Sequence, residues 1–404
     1  MNAQTELKIK SKINKALLLK AYRLMHTAKA MAETYEENKE ICSKYVHATS
    51  RGHEAIQLAA GLQLKPLDFA SLYYRDDSVL LAMGFSPLQL MLQLMAKRDD
   101  PFSGGRTYYA HPSVKREGFP TIPHQSSATG MQVIPATGMA HGIAYLESQN
   151  LKIADFVPSI RDSISDLKST NSNPQSTIVL CSLGDGAITE GEISEAFQMA
   201  VLKKLPILYL VQDNQWDISA SAKEVRAMDA YEFAAGFKGM ERIRLDGSDF
   251  IQSYIGLAEA IYYVRTERSP VLVHAKCPLL GHHTSGVRKE WYRDDLAEHQ
   301  KNDPIPKLKR HLLEEGESES SLNKIEKEAK KHVIEEYERA LKAPDPDPKT
   351  VTEHEFVPTP VTKEKGNRAP KGAEKVVMVD AALHAVDELL KEFPEALFYG
   401  QDVG

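Results

Sequence analysis

Residues 176–214 read STIVLCSLGDGAITEGEISEAFQMAVLKKLPILYLVQDN. Ser176 to Leu183 is an apolar run of strand length, closed by the turn-forming Gly184-Asp185-Gly186. Ile193 to Leu202 has the apolar spacing of a helix, and Pro206 to Gln212 is a second apolar strand. Continuous apolar strands joined through helices predict an α/β fold, a parallel sheet with helices on both faces. The rhythm continues outward. A helix near Ala230 precedes a short strand at Arg242 to Leu245, Gly256 to Arg265 is helical, and Pro270 to Ala275 is another strand. In such a sheet ligands bind at the carboxyl ends of the strands.

Toward the N-terminus, Glu6 to Glu37 carries a crowded helical apolar stripe through Leu17, Leu18, Leu19, Tyr22, Leu24 and Met25, extended by Met31. HEAIQLAA lies between Gly52 and Gly61 as a short helix. Another helix runs from Pro87 to Met95, with proline in its first turn. Residues Gly104 to Gln132 are rich in glycine, proline and serine and read as a long loop, of the kind that is usually functional. A helix follows from Pro135 to Ser148, and 155–175 is a polar surface insertion.

Toward the C-terminus, Asn323 to Ala343 is a charged helix stopped by KAPDPDPKT. Order resumes at Val376 with a helix from Asp380 to Phe393 and a short strand, ALFYG. The expected organisation is a main domain over 1–345, a linker over 346–375 and the opening of a second domain over 376–404.

The net charge of −6 argues against a nucleic-acid partner, which needs a basic face. Cys42, Cys181 and Cys277 have neither disulfide-framework nor metal-ligand spacing, which favours a reducing, cytoplasmic setting. No leader is read at the N-terminus, and no apolar run approaches the ~20 residues of a membrane span.

Asp185 and Asn214 follow successive strands at the same sheet edge, 29 positions apart. A carboxylate, an amide oxygen and a nearby main-chain carbonyl are hard ligands of the kind Mg²⁺ prefers. Gly184 and Gly186 permit close phosphate approach, and the helix after Glu192 would turn its N-terminus to the anion. Taken alone, GDG reads as a strand-end turn, and Arg75 as a surface residue paired with Asp76 or Asp77.

GDGAITEGEISEAFQMAVLKKLPILYLVQDNQWDIS resembles the cofactor motif of the alpha subunit of thiamine-diphosphate-dependent 2-oxoacid dehydrogenases. RGHEAIQLAAGL, Tyr73-Tyr74-Arg75-Asp76, SSATGMQVIPATGMAHG and Gly281-His282-His283-Thr284 extend the resemblance. It implies the thiamine-diphosphate-binding fold. Asp185, Asn214 and the carbonyl of Trp216 would hold Mg²⁺, and the metal in turn the diphosphate. It gives Tyr74 and Arg75 a place at the diphosphate, and Ser127 and Thr129 a main-chain role at the aminopyrimidine. His283 would stand by the reaction centre as the catalytic residue. Thr284 occupies a regulatory phosphorylation position, and the role of His111 stays open.

The Gly-His-His loop is more similar to branched-chain enzymes than to pyruvate enzymes. Departures are Gln212 and Leu279, where arginines stand in the family, and Met131 for a hydroxyl ligand of a monovalent cation.

Val376 to Gly404 resembles the start of the matching beta subunit, whose catalytic glutamate lies beyond these residues; neither Gln401 nor Asp402 takes its part. The resemblance therefore implies an obligate oligomer with a beta-subunit-like domain. It also implies a lipoyl-bearing acyltransferase partner and decarboxylation of a small 2-oxoacid, branched-chain by preference, pyruvate or acetoin otherwise. Two other classes compete: a Mg²⁺-dependent phosphate-ester hydrolase or nucleotide binder, and a non-catalytic scaffold. The first lacks a nucleophilic Asp or a phosphate loop at a strand end. Intact Asp185, Asn214 and His283 speak against the second.

Overall fold

A computed structural model describes residues 13–123, 125–153, 176–353, 367 and 371–400. Five strands form its sheet: β1 (Phe69–Ser71), β2 (Val179–Gly184), β3 (Ile207–Asp213), β4 (Glu241–Asp246) and β5 (Val271–Lys276). The spatial order is β1-β2-β3-β5-β4, and every pairing is parallel.

Alternation along the strands builds two cores. Ile178, Leu180, Leu208, Leu210, Val271 and Val273 join one apolar cluster. Val179, Cys181, Leu183, Ile207, Tyr209, Val211 and Leu272 join the other. Side chains of a strand point alternately to opposite faces, so a strand covered on both sides must be apolar throughout. β3 is so from Ile207 to Val211, and all its residues, Gln212 and Asp213 included, are buried. β4 lies at an edge, and all its residues are partly or largely exposed.

The first face is covered by α1 (Lys15–Glu37), α2 (Glu54–Gly61), α3 (Asp77–Met83), α4 (Pro87–Leu94), α7 (Phe250–Glu267), α8 (Pro304–Glu314) and α9 (Glu319–Lys342). The second is covered by α5 (Val133–Ser148) and α6 (Gly191–Lys203). The parallel sheet with helices on both faces is thus the observed architecture. No described helix is long and apolar enough to cross a membrane.

Local chemistry sets the boundaries. The side chain of Asn14 accepts from Leu17 N and starts α1; the expected portion from Glu6 to 12 lies outside the described residues. Ser86 and Gln89 close a capping box ahead of Pro87. α7 begins at Phe250, before the expected Gly256, because Asp249 caps Ile251 and Gln252.

Two expectations need correction. β1 was not expected, being only three residues long and too short for a periodic pattern. ALFYG forms no strand: α10 (Met378–Glu392) is present, but residues 396–400 meet no sheet edge and stay largely exposed. A strand without a paired neighbour has no partner for its backbone groups. The polar insertion over 155–175 and most of the proposed linker lie outside the described residues.

β1 is placed by the buried carboxylate of Asp68. It accepts from Arg265 of α7 at 2.9 and 2.5 Å, from Lys65 N at 2.8 Å and from Ile178 N at 3.2 Å. Removing one member of a buried pair strands the other. Asp68→Ala is expected to lower unfolding stability by about 3–5 kcal/mol, measured by denaturant melts against wild type.

Candidate functional site

The β2–β3 register sets Gly184 beside Gln212, so the residues that follow each strand meet at the sheet edge. Asp185 Oδ1 accepts from Asn214 N at 3.4 Å, and Oδ2 from Gln215 N at 3.2 Å. Gln215 has a positive φ of 69°, which reverses the chain after Asn214. Trp216 N then returns to Asn214 Oδ1 at 3.1 Å. The Trp216 indole is held aside by Asp295 (2.8 Å) and by the guanidinium of Arg293, 5.3 Å from its ring.

A narrow cleft opens here. Tyr74, Arg75, Thr129, Gly184, Asp185, Gly186, Asn214, Trp216 and His283 all line it. Ser127 does not: its hydroxyl meets His111 Nε2 at 3.0 Å in an adjoining cavity, and Ser126 and Ala128 line the cleft in its place. The expected approach of α6 is also corrected. A 3-10 turn over Asp185–Thr189 intervenes, and its own first residues Gly186 and Ala187 line the cleft. A Cβ at Gly186 would stand 2.8 Å from the Asp217 carboxyl carbon, so the close approach there requires glycine.

Arg75 is only 1% exposed and pairs with neither Asp76 nor Asp77. It donates to Thr49 O at 3.2 Å and His283 O at 3.0 Å, tying the early loop to the His-His loop. Gly52 serves the same junction. Its φ is +105°, and a Cβ there would lie 2.0 Å from Pro278 O.

Four side chains that matter here were assigned no role from sequence. Gln212 is fully buried; its amide donates to Asp76 Oδ1 and Ser182 Oγ, each at 2.8 Å. Its Oε1 accepts from Gln57 and His53, each at 2.9 Å. His53 therefore carries its proton on Nδ1, which leaves Nε2 to accept from Asn214 Nδ2 at 3.3 Å. That bond fixes which end of the Asn214 amide presents oxygen to the site. Burial, then Arg75, drives the His53 value down to about 3 and keeps the ring neutral. The fourth is Arg226, which contacts Asp185 at 2.5 Å and Asp213 at 3.5 Å. His53 and Gln57 lie in the RGHEAIQLAAGL segment and Gln212 is one of the departures from the resemblance, so each has a sequence signal; no local pattern marks Arg226.

Burial and neighbouring Asp213 raise the Asp185 value, with Arg226 pulling against them. Burial would raise the Asp213 value, but the hydrogen bonds from His274 Nε2 (2.8 Å), Asp185 and Gln215 together hold it low. His283 Nε2 accepts from Ile218 N at 3.3 Å, so the neutral ring carries its proton on Nδ1. Burial, then Arg75, His53 and Arg293, push this histidine down to about 2.

The residues fit an anion held through a hard cation. His283 Nδ1, Arg75 Nε and the Tyr73 hydroxyl are buried donors at the cleft with no partner among the described residues. Asp185, Asn214 and the Trp216 main chain offer oxygens. No group of three His, Cys, Asp or Glu suited to a metal occurs among the described residues, as expected for a set with a single carboxylate.

A parallel α/β sheet with a cleft of buried donors at its carboxyl edge places the site where proteins of this class bind ligands. Comparison makes this particular: the family described as Dehydrogenase E1 component matches residues 20–349, and the chain belongs to it. The chain is 27% identical over 336 residues to 2-oxoisovalerate dehydrogenase subunit alpha, mitochondrial, of Mus musculus, covering 82% of this chain and 69% of that protein. The Caenorhabditis elegans protein of the same name is 28% identical over 80% of this chain and 69% of its own. Pyruvate dehydrogenase E1 component subunit alpha of Rickettsia bellii is 27% identical over 73% of this chain and 82% of its own. The chain is thus a 2-oxoacid dehydrogenase E1 alpha component of a thiamine-diphosphate-dependent family. Alpha components of this kind work in complexes with a beta subunit and an acyltransferase.

An unfolded chain protonates His283 below its ordinary value of 6.5, and the folded chain does not until about 2. Its contribution to stability is therefore complete above pH 6.5 and is lost as pH falls below that. In the cofactor-free protein, imidazole NMR is expected to show His283 neutral, protonated on Nδ1, down to pH 5. Added thiamine diphosphate is expected to raise its value, since an anion favours the charged ring.

Proposed function

We propose that this chain binds thiamine diphosphate through Mg²⁺ and decarboxylates a branched-chain 2-oxoacid. The acyl group then passes to a lipoyl group on the acyltransferase partner. The observation that carries this is that Asp185, Asn214 and Trp216 line one cleft with three buried donors that have no partner among the described residues.

When bound, the cofactor supplies the electron sink for decarboxylation. The chain's own residues bind and orient. Asp185, Asn214 and the Trp216 carbonyl hold the metal; Arg75, with Tyr74 beside it, and His283 face the diphosphate. Main-chain groups around Ser127 and Thr129 position the pyrimidine. His283 carries its ring proton on Nδ1, and the neutral ring can donate a hydrogen bond there without adding buried charge.

The branched-chain preference rests on the Gly281–Thr284 loop and on an apolar cavity beside the cleft. That cavity is bounded by Val46, Ala48, Tyr108 and Ile218 and reaches Tyr74 and Thr129. A pyruvate substrate is the second reading, supported by the matching identity to the Rickettsia relative.

Residues 376–404 are proposed to open a beta-like domain. α10 exposes Leu383, Leu389 and Leu390, an apolar face suited to packing in a larger unit.

Calorimetric titration with a beta subunit present is expected to show thiamine diphosphate binding that requires Mg²⁺. Asp185→Ala is expected to weaken it more than about 100-fold. A panel of 2-oxoacids then ranks substrates, with branched-chain acids expected ahead of pyruvate. No metal-dependent binding would contradict the assignment.

A further inference from the structure

The carboxylate assigned to the metal already carries a cation. Arg226 follows a short helical turn, Ala222–Val225, and its side chain is 5% exposed. One terminal nitrogen, NH2, stands 2.5 Å from Asp185 Oδ2 and 3.5 Å from Asp213 Oδ1. The other, NH1, is buried with no partner among the described residues.

We propose that Arg226 is the resident counter-cation of the metal-free site, holding Asp185 until a divalent ion displaces it. The inference rests on the metal reading given above. Without a cation, Asp185 and Asp213 would be adjacent buried carboxylates, an arrangement that costs heavily unless paired. Arg226 answers both. A divalent ion on Asp185 would instead crowd the guanidinium, and like charges repel strongly where water is excluded.

The geometry supplies a place to retreat to. The same nitrogen is already within ion-pair reach of Asp213, and the unpartnered NH1 can take over part of the contact. Asp213 also keeps His274 at 2.8 Å and Gln215 Nε2 at 2.8 and 2.9 Å. Arg226 can therefore leave Asp185 without stranding either its own charge or that of Asp213.

The competing role is a fixed brace that aims Asp185 at the metal. The two differ in sign: removing a competitor tightens metal binding, and removing a brace loosens it. The probe is Mn²⁺ alone, its free concentration read by electron paramagnetic resonance, added to the full chain without thiamine diphosphate. Arg226→Gln is expected to bind Mn²⁺ about tenfold or more tighter than wild type. The gain should vanish when Asp185→Asn is added. Metal-free Arg226→Gln should melt lower than wild type and recover with Mn²⁺. If Arg226→Gln does not fold, Arg226→Lys carries the test, since its shorter point charge grips Asp185 less well; tighter binding supports the proposal. Equal or weaker Mn²⁺ binding in the folded variant overturns it and makes Arg226 a brace. If no form, Arg226→Gln included, binds Mn²⁺ in an Asp185-dependent way, the metal reading itself fails.

Discussion

The parallel register between β2 and β3 is the constraint on which the rest depends. Gly184 lies opposite Gln212, so the two chains leave the sheet side by side and deliver Asp185 and Asn214 to one point. Slipping either strand by one residue would turn its apolar side chains to the wrong faces. Because both faces are buried, the two hydrophobic cores enforce that register. The site's geometry is in this sense a product of core packing some distance from it.

A second layer holds the edge rigid. His53, Gln57, Asp76, Ser182 and Gln212 form a buried polar network in which Gln212 is bonded through both ends of its amide. Burying so many polar groups is tolerable only when they are paired. Its outermost link, His53 to Asn214, sets which end of the Asn214 amide turns to the cleft. Gln212 is the hub of that network and, through His53, braces Asn214. The cationic contacts near the cleft fall to Arg75, and to Arg226 and Arg293 on its flanks.

Much of this was legible in the sequence because the informative features were local. Apolar runs of strand length marked β2, β3 and β5, and Gly-Asp-Gly with Asn214 marked the sheet edge. What escaped was set by tertiary contact. β1 is three residues whose only mark is their partner. Arg226 reaches Asp185 across 41 positions, and Gln57 reaches Gln212 across 155; neither spacing has a periodic signature. Arg75 has the local sequence of a surface ion pair; its burial and its bond to the His283 carbonyl are set by tertiary contact. ALFYG has the composition of a strand and forms none, because strand formation needs an available edge as well as propensity.

The most direct measurement is a crystal structure of the chain with a beta subunit, thiamine diphosphate and Mn²⁺, with data collected for anomalous scattering. The account requires one strong peak at about 2.1–2.2 Å from Asp185, from Asn214 Oδ1 and from the Trp216 carbonyl, with diphosphate oxygens completing the shell. A peak elsewhere, or a bound cofactor with no metal between these residues and its diphosphate, would contradict it.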